Sequence, residues 1–528
     1  DTTPTRSAAR SISIMAAGEP EPPVEVWSEN FEQNLAANTS TSITTYAGPR
    51  YSTSTGWSTA TGCTGVIVNY SAPFANDTLC PPRTFLGLNL STVPAREVRR
   101  LADVLGQVNA GATPGPSGTP TNASSNESKA NRALVSLPAA APNTTTVLQS
   151  NAGIGVTASA SRYYSMRIDV AAAPCSGSLP SLSLGLVTGA NASLLNAFPT
   201  PITPCAGTAA NYYTSPSLGT GLNPVSASVR AGRYLGTAAA LLTPAQISAA
   251  RVQLSNSGSG TGSGFGVDNL RVLDVTPSLD WSFGPSDVAV GTPTTLTYTV
   301  TNTDELIAKN DWSFTNTLPA GLTVAPTPAV GGTCTNVAGT AFAVTAVAGS
   351  SSIAAVGGDL AGGSASCTIT VNVVASTDGT YTNSPGNAAT VLNAPEATTL
   401  TVVPAVRLTV RKNLPARLAS TDQFTLSVRS GGTVLASATT TGNATGIQAA
   451  QVSRQIVDAG GTYTISEAPT NGSGLGYGSS YECTRDSTVI AVGSSRSGSL
   501  TMPTDPGAEV VCTFTNTVQQ VRLACDNR

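Results

Sequence analysis

Histidine is absent from the 528 residues. That excludes Ser-His-Asp and Cys-His nucleophile arrangements and the usual imidazole ligands of zinc in one step. Charge is scarce as well: charged residues make up 10%, against about 25% in an ordinary soluble domain. Lysine occurs three times, at Lys129, Lys309 and Lys412. No run approaches the ~18 consecutive apolar residues of a spanning helix. The net charge is −3 with no long basic stretch, so no nucleic-acid footprint is present. A glycosidase working with two carboxylates survives these exclusions, but no stretch nominates the pair.

What is present is threonine, serine, alanine, glycine and valine, with apolar residues at 40%. Such a composition suits β-sandwiches with uncharged polar faces better than helices laced with ion pairs, and apolar residues recurring at strand spacing argue against disorder. The expected fold class is all-β, and at roughly 150 residues per domain the chain is long enough for three or four domains. Of the nine cysteines, eight fall into sequential pairs: Cys63 and Cys80, Cys175 and Cys205, Cys334 and Cys367, Cys483 and Cys512. None has the CxxC spacing of a metal knuckle. Disulfides in an exported chain are the natural reading, each contributing about 3–4 kcal/mol for loops of this size. Cys525 in "VRLACDNR" is left over, either unpaired or bonded to another molecule. The start, "DTTPTRSAAR", reads as a mature terminus after export. A C-terminal sorting motif with a hydrophobic tail is not seen, which points to a cropped chain, attachment through another protein, or self-assembly.

Residues 1–24 read as an N-terminal arm rich in Ser, Ala and Pro. Within it "SISIMA", Ser11 to Ala16, alternates like a short strand and suggests a donor strand added to another subunit; an arm packed on its own chain is the other reading. Residues 25–276 read as one large β-domain. Two segments inside it have helical signals: "STVPAREVRRLADVLGQV", with Thr92 as N-cap and Val98, Leu101 and Leu105 on one side, and "LTPAQISAARV", with the Thr243–Pro244 start. Between them lies the low-complexity loop "NAGATPGPSGTPTNASSNESKANRA". The glycine-rich "GSGTGSGFG" leads into a strand rather than a helix and no GK[ST] follows, so it is not read as a phosphate cradle.

The opening "VWSENFEQ" and the closing "FGVDNLRVLDV" of this domain resemble the jelly-roll sandwiches of carbohydrate-binding modules and related bacterial surface domains. The resemblance implies that first and last strands lie together and that a structural calcium is held, for which Glu29, Glu32 and Asp268 are the residues carried over; charged residues merely flanking strands are the alternative. Residues 277–404 change character. "TTLTYTVTNTDE" alternates with Leu296, Tyr298 and Val300 on one face, and "NTLPAGLTV", "GGTCTNV", "GSASCTITVNVVAST" and "GTYTNSPGNA" follow. This order resembles the immunoglobulin-like repeat of long bacterial surface proteins. It implies a seven-strand spacer sandwich with Cys334 and Cys367 bridged and no known chemistry.

In residues 405–519 a polar residue stands in line with core residues on each of three strands. Side chains alternate along a strand, so Lys412 shares a face with Leu408 and Val410 in "LTVRKN". Glu467 shares one with Tyr463 and Ile465 in "TYTISEAP", and Asn516 with Cys512 and Phe514 in "VVCTFTNT". An unpaired buried ammonium costs several kcal/mol or more. On the residues alone, Lys412 is either committed to a partner inside or reaches water from a strand end. The frame "LTVRK…FTLSV…YTISEAP…YECT…CTFTNT" resembles the prealbumin-like B-type domains of Gram-positive adhesins and pilins. In that family the lysine and the terminal asparagine join as an isopeptide bond assisted by the glutamate, which makes Lys412, Asn516 and Glu467 the self-crosslinking candidates here. Residues 520–528 form a C-terminal tail.

The expectation is three tandem sandwiches, jelly-roll-like, immunoglobulin-like and prealbumin-like, after an extended arm. They would form a non-enzymatic structural protein of the bacterial cell surface, an adhesin stalk or the subunit of an extracellular pilus-like fibre that self-associates through the arm. A glycan-binding module displayed on a β-sandwich stalk is the alternative. Beyond the calcium no cofactor is expected.

Overall fold

The computed structural model describes residues 18–519, apart from 59–62, 76, 82, 86–87, 91–92, 117–122, 139–144, 174, 176–178, 207–210, 217, 219–227, 259–263 and 472–475. All of "SISIMA", the Thr92 cap position, the tail and Cys525 therefore lie outside the described residues. Strands predominate, in pairs of facing sheets, and the chain is a series of β-sandwiches.

The first sandwich is built on two long central strands, Arg162–Ala173 and Gly264–Asp274, antiparallel neighbours in a nine-stranded sheet. The opening strand, Val24–Glu29, pairs antiparallel with the closing one, Val24 opposite Asp274 and Glu29 opposite Leu270. A five-stranded sheet faces it, and Met166, Ile168, Val170, Leu184, Leu254, Phe265 and Val267 fill the space between. On the other face of the larger sheet lies the helix Val93–Asn109, with Val98, Leu101 and Leu105 packed on Val135, Ala171 and Ala231. Gly266 makes this seat possible, since a Cβ there would come 2.9 Å from Leu105 Cδ1. The opposite flank of this helix is covered as well. Arg99, Arg100, Asp103 and Gln107 are all buried, and Arg99 donates to Asp77 at 2.7 Å. The short helix Pro244–Ala249 starts on Thr243, whose hydroxyl accepts from Gln246 N in a capping box.

In the second sandwich the alternation of "TTLTYTVT" buries Leu296, Tyr298 and Val300. Its strand pairs with Ser278–Gly284 on one side and Ser366–Ala375 on the other. A facing sheet brings Trp312, Phe314 and Ile353 into the same core. That core reaches back into the first sandwich through Tyr163, Leu273 and Val275, and Tyr163 O–H donates to Asn310 O at 2.6 Å. The described end of the arm also lies on its own chain, with Glu21 bridging to Thr303 in parallel and Asp304 N donating to Glu21 O.

The third sandwich opens with Val406–Leu414 and closes with Glu509–Val518, paired in parallel from Arg407 opposite Glu509 to Asn413 opposite Thr515. The closing strand also pairs antiparallel with Tyr477–Arg485. The facing sheet runs in the order Thr433–Thr439, Gln423–Ser430, Thr462–Asn471, Ser497–Thr501. Among the described residues four disulfides are present: Cys63–Cys80, Cys175–Cys205, Cys334–Cys367 and Cys483–Cys512.

Candidate functional site

Val406–Leu414 alternates strictly between buried and partly exposed residues, and Lys412 falls on the buried side with no exposed surface. The residue is not at a frayed end, since Leu414 beyond it is also buried and Arg411 and Asn413 on either side still pair with the closing strand. The lysine therefore cannot reach water along its stem. Its Nζ contacts Glu467 Oε2, an ion pair with both side chains fully buried, and lies 4.7 Å from the centre of the Phe424 ring. Glu467 arrives from the facing sheet, on the Thr462–Asn471 strand. Its other oxygen accepts from Ser479 Oγ at 2.7 Å.

Asn516 completes the group. It sits two residues beyond Phe514, which is directly opposite Lys412, and opposite Ser479 on the neighbouring strand. The side chain is fully buried, yet neither its Oδ1 nor its Nδ2 has a hydrogen-bond partner. A buried carboxamide with both ends bare costs on the order of 1–3 kcal/mol per group. Its carbonyl carbon is also an electrophile, buried two residues along the strand from the position opposite Lys412. Burial lowers the Lys412 pKa from 10.5 to about 8, against the pull of Glu467. Roughly a tenth of the side chain is then neutral at pH 7, against a few parts in ten thousand for a free lysine. Neutral amine, carboxyl and unspent amide are the components of an amide exchange.

Glu29, Glu32 and Asp268 are not brought together into a cation cage. Glu29 accepts from Phe31 N at 2.7 Å, Tyr46 O–H at 3.1 Å, Tyr51 O–H at 2.5 Å and Arg50 at 3.2 Å. Glu32 is held by Arg132 at 2.6 Å. Asp268 accepts from Asn131 Nδ2 at 2.9 Å and Asn269 N at 2.7 Å. Their oxygens are occupied by protein donors, and no metal-holding group of three such residues occurs among the described residues. In this structure the three carboxylates are engaged by protein donors, Glu29 by residues 31 to 51, Glu32 by Arg132 and Asp268 by Asn131 and Asn269.

The second buried lysine escaped the sequence reading. Lys309 is also without exposed surface. It opens a strand just after the loop "TNTDELIA", so alternation on its own strand gave no inward neighbour before it to mark it. The rarity of lysine was the available signal.

Residues 407–518 match the model of a prealbumin-like fold domain, and residues 277–403 match a domain of unknown function, DUF7933. Among solved structures the chain is similar to BcpA, the major pilin subunit of Bacillus cereus, at 12% identity over 65% of this chain and 95% of that one, with a TM-score of 0.25. The Actinomyces fimbrial adhesin FimA is 15% identical over 46% of this chain and 100% of its own, with a TM-score of 0.24. The major pilin from Streptococcus pyogenes is 12% identical over 47% and 100%, with a TM-score of 0.19. No curated protein matches the chain.

Proposed function

We propose that this chain, with its prealbumin-like last domain, is a non-enzymatic structural element of the bacterial cell surface, a stalk or fibre subunit whose last domain seals itself with one amide bond. The observation that carries the reading is Asn516, buried and unpartnered, directly across from the serine that holds Glu467 of the Lys412–Glu467 pair. Lys412 gives a proton to Glu467 and its neutral Nζ attacks Asn516 Cγ. The Nζ–Cγ bond forms, the Cγ–Nδ2 bond breaks, and ammonia leaves with the second amine proton; Glu467 relays protons and ends uncharged. No substrate is needed and there is one turnover.

Mechanics supports the reading. The first and last strands of the domain are parallel, so a pull on the start of one and the end of the other shears them. An amide between 412 and 516 would carry that load directly, and the chain between those two residues would lie outside the load path. Only Pro404 and Ala405 separate this domain from the last strand of the second sandwich, Thr398–Val403, so tension is passed on with little slack. Assembly through the arm, with "SISIMA" adding a strand to another copy, belongs to the same reading.

Two experiments test it. Peptide mapping of the reduced protein should recover the peptides bearing Lys412 and Asn516 joined and one ammonia light, and Lys412→Ala should separate them; unjoined peptides in the parent protein would remove the crosslink. Electron microscopy of material taken from its native surface should show fibres or beaded stalks. Isolated single globules would overturn the structural role.

A further inference from the structure

The second sandwich contains another buried amine, in contact with both an amide and a carboxyl. Lys309 Nζ donates to Asn302 Oδ1 at 2.9 Å, to Glu305 Oε1 at 2.8 Å and to Ile307 O at 3.0 Å. Asn302 and Lys309 are buried residues, and the side chain of Glu305 is only 2% exposed. Asn302 follows the strand Thr294–Thr301, and Lys309 opens the strand Lys309–Thr317. The loop between them carries Leu306 at φ 52, a left-handed position that turns the chain back so that the lysine meets the asparagine.

We propose that Lys309 and Asn302 form an intramolecular amide bond, with Glu305 carrying the proton. The immunoglobulin-like resemblance of this segment brings no such chemistry, and the inference does not depend on the reading of Lys412. Three observations support a bond over a permanent ion pair. First, a fully desolvated ion pair gains little net stability unless every oxygen and proton is satisfied, and Glu305 Oε2 is buried with no partner. Second, burial lowers the Lys309 pKa, with Glu305 acting against it, so the charged form of this amine is less favoured here than in water. Third, the amide is already oriented: Asn302 Oδ1 accepts from Thr303 N at 2.9 Å as well as from the lysine, which polarises the carbonyl toward attack.

The step balances as an amide exchange. Lys309 passes one proton to Glu305, and neutral Nζ attacks Asn302 Cγ. The Nζ–Cγ bond forms and the Cγ–Nδ2 bond breaks. Nδ2 departs as ammonia, taking the second amine proton through Glu305. Glu305 is left uncharged, and the remaining Nζ–H keeps Ile307 O as acceptor. The bond would fix the loop on which the junction rests, because Thr303 bridges to Glu21 and Thr303 Oγ1 donates to Val275 O at 3.2 Å. A closed 302–309 loop would thus hold the first and second sandwiches in register.

The test uses the full chain carrying Lys412→Ala, reduced and digested with a lysine-specific protease. An acylated Lys309 is not cleaved, so the expected result is no cleavage at that position and an intact mass one ammonia below the sequence. Adding Glu305→Gln, which preserves volume, should restore both the mass and the cleavage. Complete cleavage after Lys309 in the Lys412→Ala protein would overturn the proposal. So would a missing ammonia with Lys309 still cleavable, since that marks a succinimide at Asn302. Failure of the Lys412 reading shows separately, in the parent protein, as an unjoined Asn516 peptide.

Discussion

Asn516 lies directly across from Ser479 on neighbouring antiparallel strands, and the Ser479 hydroxyl reaches over to Glu467 at 2.7 Å. The serine thus ties the carboxyl from one sheet to the strand pair that holds the amide in the other. Glu467 is fixed at both oxygens, by Lys412 on one and Ser479 on the other.

Glu467→Gln keeps the shape and the serine contact but cannot accept the lysine proton. Positioned acid–base groups contribute about 10²–10⁴-fold. Crosslinking of freshly refolded protein, followed by intact mass over time, should slow by at least about 100-fold. An unchanged rate would remove Glu467 from the chemistry.

A pH dependence follows for protein that cannot crosslink, such as Asn516→Ala. The folded-state pKa of Lys412 lies near 8, below its ordinary 10.5. Between these values the unfolded chain binds the extra proton, so stability rises with pH. The gain is absent below pH 8 and would approach roughly 3 kcal/mol at pH 10.5. Buried Tyr463 and Tyr477 have raised pKa values and work in the opposite sense from about pH 10, so the clean window is pH 8 to 9.5. Urea midpoints should climb across it in Asn516→Ala and stay level when Lys412→Met is added.

Tyr163 belongs to the first sandwich by sequence but packs in the core of the second. Tyr163→Ala should destabilise the junction by about 3–4 kcal/mol. Calorimetry should then resolve the unfolding of the two sandwiches into separate transitions. A single unchanged transition would show that the packing does not couple them.

Gly358 lies under the Trp312 ring, where a Cβ would sit 2.3 Å from the indole. Trp312 is fully buried and has no free direction in which to yield. Gly358→Ala should lower stability by about 1–3 kcal/mol, the range of overpacked cores, read as a lower melting temperature. The same change at exposed Gly386, which has open space around it, is the control and should be near neutral.

Much of the fold was legible because alternation is a local property. "TTLTYTVT" and "LTVRKNL" name their buried faces without help, and the structure buries Leu296, Tyr298, Val300, Leu408, Val410 and Lys412 as the period-2 rule requires. The Thr243 cap was equally local. The helix Val93–Asn109 was legible only on one side: its apolar stripe was evident, but burial of Arg99 and Asp103 depends on loops far away in the chain.

By itself the sequence determined which residue types face inward, that no histidine chemistry operates, and that a lysine, a glutamate and an asparagine stand on core faces in the last domain. Only the tertiary structure decided who meets whom. It gave Glu29 to two tyrosines and an arginine, left Asn516 without a partner, and closed Lys309 onto Asn302. The reason is physical: facing direction follows from the backbone repeat of a single strand, whereas a contact requires two strands to be set in register and two sheets to be packed at a fixed distance.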